Sequence, residues 1–198
     1  MKTMSKKQLD IILAATSEFE MRGFSGTSME KIAAAAGVSK RTLYKYYGSK
    51  EVVFSAIIKH LQQSTSLEQC PQYLSEKPLR EQLVEVIHAM LMHLNEEEHI
   101  RLARIVISEV VRKPELSDIL SDTVDFTSNA PFQWICSAIN DGSLRQVEPT
   151  KALTHLTGLV KSIGLWSRLI FCAPALNEEE MRTFSEEYAD FFLSYYQI

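Results

Sequence analysis

AGVSKRTLYKYYGSKE, Ala36 to Glu51, is the stretch on which the reading of this chain turns. Its sixteen residues hold a glycine turn, the four cations Lys40, Arg41, Lys45 and Lys50, and three tyrosines. Gly37 is placed to close one helix and Ser39 to cap the next, KRTLYKYY. A helix that opens Ser39-Lys40-Arg41-Thr42 carries donors suited to phosphate oxygens and to the O6 and N7 atoms of guanine. Leu43 points back into a small core with Ile32, Ala36 and Val38. Tyr44, Lys45 and Tyr46 are placed to bond phosphates. Tyr47, four residues after Leu43, falls on the inward side and reads as a core aromatic. Lys50 lies in the first turn of the following helix, where free backbone N–H groups also favour an anion.

Working outward, GTSMEKIAAAAG supplies the preceding helix, with Thr27 or Ser28 as N-cap and Glu30 and Lys31 in its first turn. It lasts only two turns before Gly37. Two short helices joined by a glycine-containing turn form a helix-turn-helix, whose second helix enters the major groove of DNA. The start of the first helix therefore adds Thr27 and Ser28 to the candidate DNA-binding residues. Further back, Ile11, Ala15 and Phe19 recur at helical spacing with Ile12 alongside, and Gly23 ends that helix. Further on, Gly48 breaks the chain and Ser49 caps a long helix, KEVVFSAIIKHLQQ.

TSMEKIAAAAGVSKRTLYKYYGSKEVVF resembles the DNA-binding domain of the TetR family of bacterial transcriptional repressors. The likeness lies in the Thr-Ser start, the Ile-Ala before the Ala-Gly-Val turn, the Thr-Leu-Tyr and the Ser-Lys-Glu, and it spans about residues 8–58. Three positions depart from the pattern: Glu18 stands where an apolar residue is common, Arg41 where a small residue is frequent, and Tyr47 where Phe is usual. Arg41 adds a long donor to the recognition helix and bears on which operator is read. The resemblance implies a homodimer, an N-terminal DNA-binding domain over 1–48 and a helical ligand-binding and dimerisation domain over 49–198.

Charge follows the same division. Residues 1–60 hold ten Lys+Arg against five Asp+Glu, and residues 61–198 hold eleven against twenty, so a chain of net charge −4 carries a basic head on an acidic body. That asymmetry suits a protein whose head alone meets a polyanion, although ten exposed cations can also merely solvate a helical unit. The hydrophobic share of 45% supports a packed core and argues against global disorder. No apolar run approaches the ~20 residues of a membrane span, and MKTMSKKQLD leads into an amphipathic pattern instead of a signal-peptide core; the reading is cytosolic. Cys70, Cys136 and Cys172 are scattered and odd in number, which suggests reduced thiols.

The rest of the chain reads as helix too. A polar, Pro-containing linker around Pro71 and Pro78 precedes a helix near Leu79–Leu94. Asn95 with Glu98 has the spacing of a capping box for the next helix, which Pro114 stops. A further helix is expected to break at Pro131 and to end at Gly142. Pro149 opens the next, and Asn177 with Glu180 repeats the capping box before the last. The fold class is all-α, with roughly nine helices. EEHIRLARIVISEVVRKPELSDIL is similar to the C-terminal domain of AefR-like members of the family. The family resemblance places a ligand pocket in this body, with Met90, His93, Leu94 and Ile107 as candidate lining. Phe132, Trp134, Trp166 and Phe171 are the aromatic candidates, and each also fits an ordinary core role. The tryptophans suit a small apolar or amphipathic ligand. The last two helices are expected to form a four-helix dimer interface. Gly158, Ser162 and Gly164 allow close approach on one, with Leu165 also expected at the interface, while Phe184, Tyr188, Phe191, Phe192 and Tyr195 give bulk on the other.

Other chemistries fit less well. His88, His93 and His99 near three glutamates invite a metal, but their spacing is not HExxH and His88 and His93 share a helix face poorly. GFSG is not a nucleophile elbow, and no phosphate loop or dinucleotide fingerprint occurs. The chain therefore calls for no metal or cofactor and is not read as an enzyme. Its partners are double-stranded DNA, a second copy and a small ligand. The rival reading is an architectural DNA-binding protein without ligand control.

Overall fold

A computed structural model describes residues 4–63, 70–125, 127 and 129–198. The expected linker therefore lies outside the described residues over 64–69. Among the described residues the chain is helical, and the one β-type pairing is the isolated bridge of Leu144 with Gln197. The helices are α1 (Lys6–Gly26), α2 (Met29–Ala35), α3 (Lys40–Tyr46), α4 (Lys50–Gln63), α5 (Leu79–Asn95), α6 (Glu97–Arg112), α7 (Leu116–Thr123) and α8 (Ala130–Asn140). They continue with α9 (Pro149–Lys161), a π-helical turn over Ser162–Trp166, α10 (Ser167–Phe171) and α11 (Glu178–Tyr196). None of the described helices is long and apolar enough to cross a membrane.

The helix ends follow local chemistry. Gly23 (φ 70°) breaks α1, and Gly37 (φ 63°) terminates α2. There the Gly37 N–H donates to Ala34 O (3.2 Å) and the Val38 N–H to Ala33 O (3.0 Å), the paired bonds of a left-handed helix stop. The Ser39 hydroxyl accepts from the Thr42 N–H at 3.1 Å and starts α3. Asn129 caps α8 at the Phe132 N–H, so the chain breaks before Pro131, which takes a first-turn place where its missing N–H is harmless. Asn177 and Glu180 form the expected capping box of α11. The box expected at Asn95 does not form. Asn95 is the last residue of α5, and its carboxamide instead clamps Leu176, donating to its C=O and accepting from its N–H, both at 2.8 Å.

The helices fall into two compact units, Met1–Gln62 with Arg101–Val124, and Gln63–Ile100 with Asp125–Ile198. In the first, Ile11, Ile12, Ala15 and Phe19 of α1 meet Ile32 of α2, Leu43 of α3 and Val53, Phe54, Ile57 and Ile58 of α4, together with Leu102, Ile105 and Val106 of α6. Phe19, Phe24 and Phe54 interlock with ring centroids 5.4–6.1 Å apart. Burying such side chains contributes ~1.5–3 kcal/mol each, so this core holds the two short helices α2 and α3, which could not persist alone. Packing thus groups α4 and most of α6 with residues 1–48. Glu18, expected at an apolar position, is buried but meets Arg22 at 3.0 Å one turn on, which compensates its charge.

The second unit is built on α5 against α11. Their contact is laced by Arg80–Asp190 (2.6 and 2.9 Å), Arg182–Glu85 (2.7 Å) and His88–Glu178 (2.9 Å) over an apolar interior that includes Leu83, Ile87, Leu91, Met181 and Phe192.

Candidate functional site

The candidate interface in the first unit lies on α3. Leu43 is the one fully buried residue of this helix, anchored among α1, α2 and α4, and the ring of Tyr47 at its C-cap is buried as expected. With one side pinned, the rest faces outward: Lys40, Arg41, Lys45 and Tyr46 are exposed, Thr42 is half-buried and Tyr44 is 48% exposed. Arg41 and Lys45 have no ion-pair partner among the described residues. Lys40 pairs with Glu30 of α2 at 3.1 Å, and that cation helps hold the Glu30 carboxyl below the usual carboxylate range, behind the backbone bond that is the larger cause. A pair this exposed is weak and exchanges readily for a phosphate. Ser28, as N-cap of α2, accepts from the Lys31 N–H at 3.4 Å.

Two expected DNA contacts are engaged elsewhere. Thr27 is 3% exposed, and its hydroxyl lies 3.0 Å from the carbonyl oxygens of both Glu18 and Gly23; it is a staple of the α1–α2 turn. Lys50 turns inward. Its ammonium donates to Phe24 O (2.5 Å) and Thr27 O (2.9 Å) and sits 4.4 Å from the centre of the Phe24 ring. Burial pushes its pKa down, the direction expected of an ammonium drawn partly out of water. The backbone carbonyls left over at the end of α1 take the place of a phosphate.

In the second unit the expected pocket residues divide. His93, Leu94 and Trp134 are buried, and Met90 and Phe132 are half-buried. Ile107 belongs to the first unit. Trp166 and Phe171 lie on the surface, Phe171 at 80% exposure, because the π turn and α10 carry them onto an outer face with Ile170. His93 and His99 meet edge to face, ring centroids 4.2 Å apart, whereas His88 goes to Glu178. Among the described residues no group of three or more His, Cys, Asp or Glu could hold a metal ion.

The expected dimer residues also divide. Gly158, Ser162, Phe191 and Tyr195 line a groove of about 680 Å³ along α9, the π turn and α11. Open space lies above Gly158, Phe191 is 66% exposed, and Ser162 Oγ is 3.3 Å from the Tyr188 hydroxyl, whose ring packs on Phe184. Leu165 and Phe192 are buried; Phe192 stacks on Tyr196 (4.4 Å) at the floor of the groove, so its bulk is spent inside the unit.

A short recognition helix pinned by a single leucine, behind a glycine stop and a serine cap, defines a helix-turn-helix DNA-binding protein. Residues 11–57 match the bacterial regulatory proteins of the tetR family, and residues 81–198 match the C-terminal domain of AefR-like transcriptional repressors; the chain belongs to the TetR family of transcriptional regulators. It is similar over 99% of both chains, at 33% identity and TM-score 0.84, to the crystal structure of a TetR family transcriptional regulator from Pseudomonas syringae pv. tomato. The structure of the flavonoid-responsive regulator FrrA resembles it at 29% identity and TM-score 0.77, covering 97% of each chain. Against the curated regulator RutR of Escherichia coli it is 40% identical over 60 residues, which span 30% of this chain and 28% of RutR. That likeness takes in less than a third of either chain.

Proposed function

We propose that this protein is a repressor that binds a palindromic operator as a homodimer in the cytoplasm and leaves it when a small apolar or amphipathic ligand binds the second unit. The outward face of α3 carries the DNA half of the reading: Ser39, Lys40, Arg41 and Thr42 at its start for base edges and phosphates, Tyr44, Lys45 and Tyr46 behind them for the backbone, with Ser28 at the cap of α2. The open groove with Gly158 at its edge supports the dimer, since a glycine with free space above it needs no smallness within its own subunit and suits close approach of a second α9. Two recognition helices must then sit ~34–36 Å apart to enter successive major grooves.

A ligand loosens DNA only if it favours a conformation with another spacing. The continuous helix α6 is the element suited to carry that change: Glu97–Ile100 belong to the second unit and the remainder, from Arg101, to the first. In the first unit Arg101 pairs with Glu20 at 2.8 Å, and a Glu109 oxygen lies 3.2 Å from where a Cβ on Gly23 would stand, so a shift of α6 acts on α1 directly. A coupling of ~1–3 kcal/mol changes operator affinity roughly 5–150-fold. Footprinting on genomic fragments, with and without a ligand panel, tests the reading. Protection of inverted repeats that is lost with ligand is the expected result. Equal binding to every fragment at moderate salt, untouched by any ligand that binds, identifies an architectural protein instead.

A further inference from the structure

The interior of the second unit buries polar groups that its architecture leaves unpaired. His93, near the end of α5, is 3% exposed, and neither of its ring nitrogens makes a hydrogen bond, the Glu96 carboxylate standing 3.9 Å from Nδ1, out of bonding reach; His99, in the first turn of α6, is 8% exposed and its Nδ1 makes none. A neutral imidazole carries one N–H donor and one acceptor nitrogen. Each such group left alone costs on the order of 1–3 kcal/mol, so three of them are a large fraction of the ~5–15 kcal/mol that holds a domain folded. Groups this expensive call for a partner that the chain itself does not supply.

A lysine completes the cluster. Lys161, the last residue of α9, is half-buried and near enough to His99 to help depress its pKa, yet it has no carboxylate partner among the described residues. Burial lowers the pKa of Lys161 itself, as it does for an ammonium without an anion. Lys161 also leads directly into the π turn Ser162–Trp166, a rare geometry found mostly at functional sites. Within that turn Gly164 has no Cβ, and the side chains of Leu91 and Leu94 close to 3.1–3.2 Å of where one would stand; this draws the end of α5 against the turn. The neighbouring cation, Arg168, is already engaged by Glu97 and by Asn95 O (2.7 Å), although its Nε is unpaired.

We propose that the second unit binds a small organic carboxylate, its charged end received by the Lys161 ammonium and the N–H groups of His93 and His99, its apolar part lying along Leu91 and Leu94. This rests on the reading of the chain as a ligand-released repressor and names the ligand class. The charge count selects a carboxylate. Desolvation lowers His93 to about 4, and desolvation first, then His93 and Lys161, lowers His99 to about 3, so both rings are neutral at pH 7; Glu96, 3.9 Å from His93 Nδ1, is 54% exposed and its charge is met by water, so the buried part of the site offers one formal cation. One carboxylate balances it, whereas a dianionic phosphate ester leaves a buried charge uncompensated. His99 stands on α6, so an anion held there acts on the helix that both units share.

The test is calorimetric titration of the full chain with decanoate and 2-naphthoate, their methyl esters, and decyl phosphate, with operator affinity measured on the same samples. A carboxylate is expected to bind about tenfold or more tighter than its ester. Lys161→Met should remove that preference and Lys161→Arg should restore much of it, with thermal unfolding confirming that both variants fold; His99→Phe gives the same loss by a second route. The proposal is overturned if no carboxylate binds at millimolar concentration, if esters or the phosphate bind as well, or if Lys161→Met leaves the preference intact. A carboxylate that binds through Lys161 and leaves operator affinity unchanged upholds this site and refutes the repressor reading. An ester that releases the operator independently of Lys161 does the reverse.

Discussion

Lys50→Met separates two roles for a lysine in this part of the helix-turn-helix. As a phosphate contact, Lys50 would matter for DNA and little for folding; as the structure has it, the ammonium serves Phe24 O and Thr27 O at 2.5 and 2.9 Å and covers the Phe24 ring. A charge-assisted hydrogen bond is worth ~1.5–3 kcal/mol, and the aromatic contact adds ~0.5–1 kcal/mol. Lys50 is only partly buried, so water replaces some of what is lost, and a net loss of about 2–3 kcal/mol follows. For a chain of this length ~1 kcal/mol moves the melting temperature by ~2–4 °C, so thermal unfolding followed by circular dichroism should shift down by about 4–12 °C. The salt dependence of operator affinity should keep its slope, because no phosphate is neutralised by this residue; a true phosphate contact would reduce it by about 0.9. An unchanged melting temperature with a shallower slope would show that the ammonium leaves its carbonyls for DNA, and the reasoning from the free structure would fail.

Arg41→Ala should weaken binding to the preferred operator by ~1–3 kcal/mol and relax preference at one position in each half-site; affinities over a library of singly substituted operators measure it, and an equal loss on every sequence contradicts it. Phe191→Glu and Gly158→Arg should each convert a dimer to monomer in sedimentation while leaving the fold intact. Phe192→Glu should instead unfold the second unit, because it puts a carboxylate where a ring 2% exposed now stacks. Acid should destabilise the protein through His93 and His99. Their folded-state values of about 4 and about 3 lie below the ordinary 6.5, so between those limits the unfolded chain holds protons that the folded chain does not. Stability is full above pH 6.5 and falls as pH drops, by ~1.4 kcal/mol per pH unit for each ring. Urea midpoints against pH measure this, and the His93→Phe, His99→Phe double variant should show a flatter profile.

What the amino-acid sequence determined by itself is whatever closes within one turn of chain. The stop at Gly37, the caps at Ser39 and Asn177, and Leu43 and Tyr47 as the inward positions of α3 are all set by residues three or four apart, and those spacings are printed in the sequence. The outward face of α3, on which the proposed DNA contacts lie, was legible for the same reason. Only the tertiary structure decided where long-range partners lie. Lys50 finds its acceptors 23 and 26 residues earlier, and Asn95 leaves its expected capping box for Leu176, 81 residues later. Phe191 and Phe192 are adjacent and identical in kind, yet one is exposed and the other buried, because the 100° step between helical neighbours turns them to different faces of α11. Trp166 and Phe171, read as lining, are turned outward by a π turn whose wider winding no residue type announces. The meeting of His93 and His99 depends on how α5 and α6 pack, and packing is a property of the whole unit that no local spacing encodes.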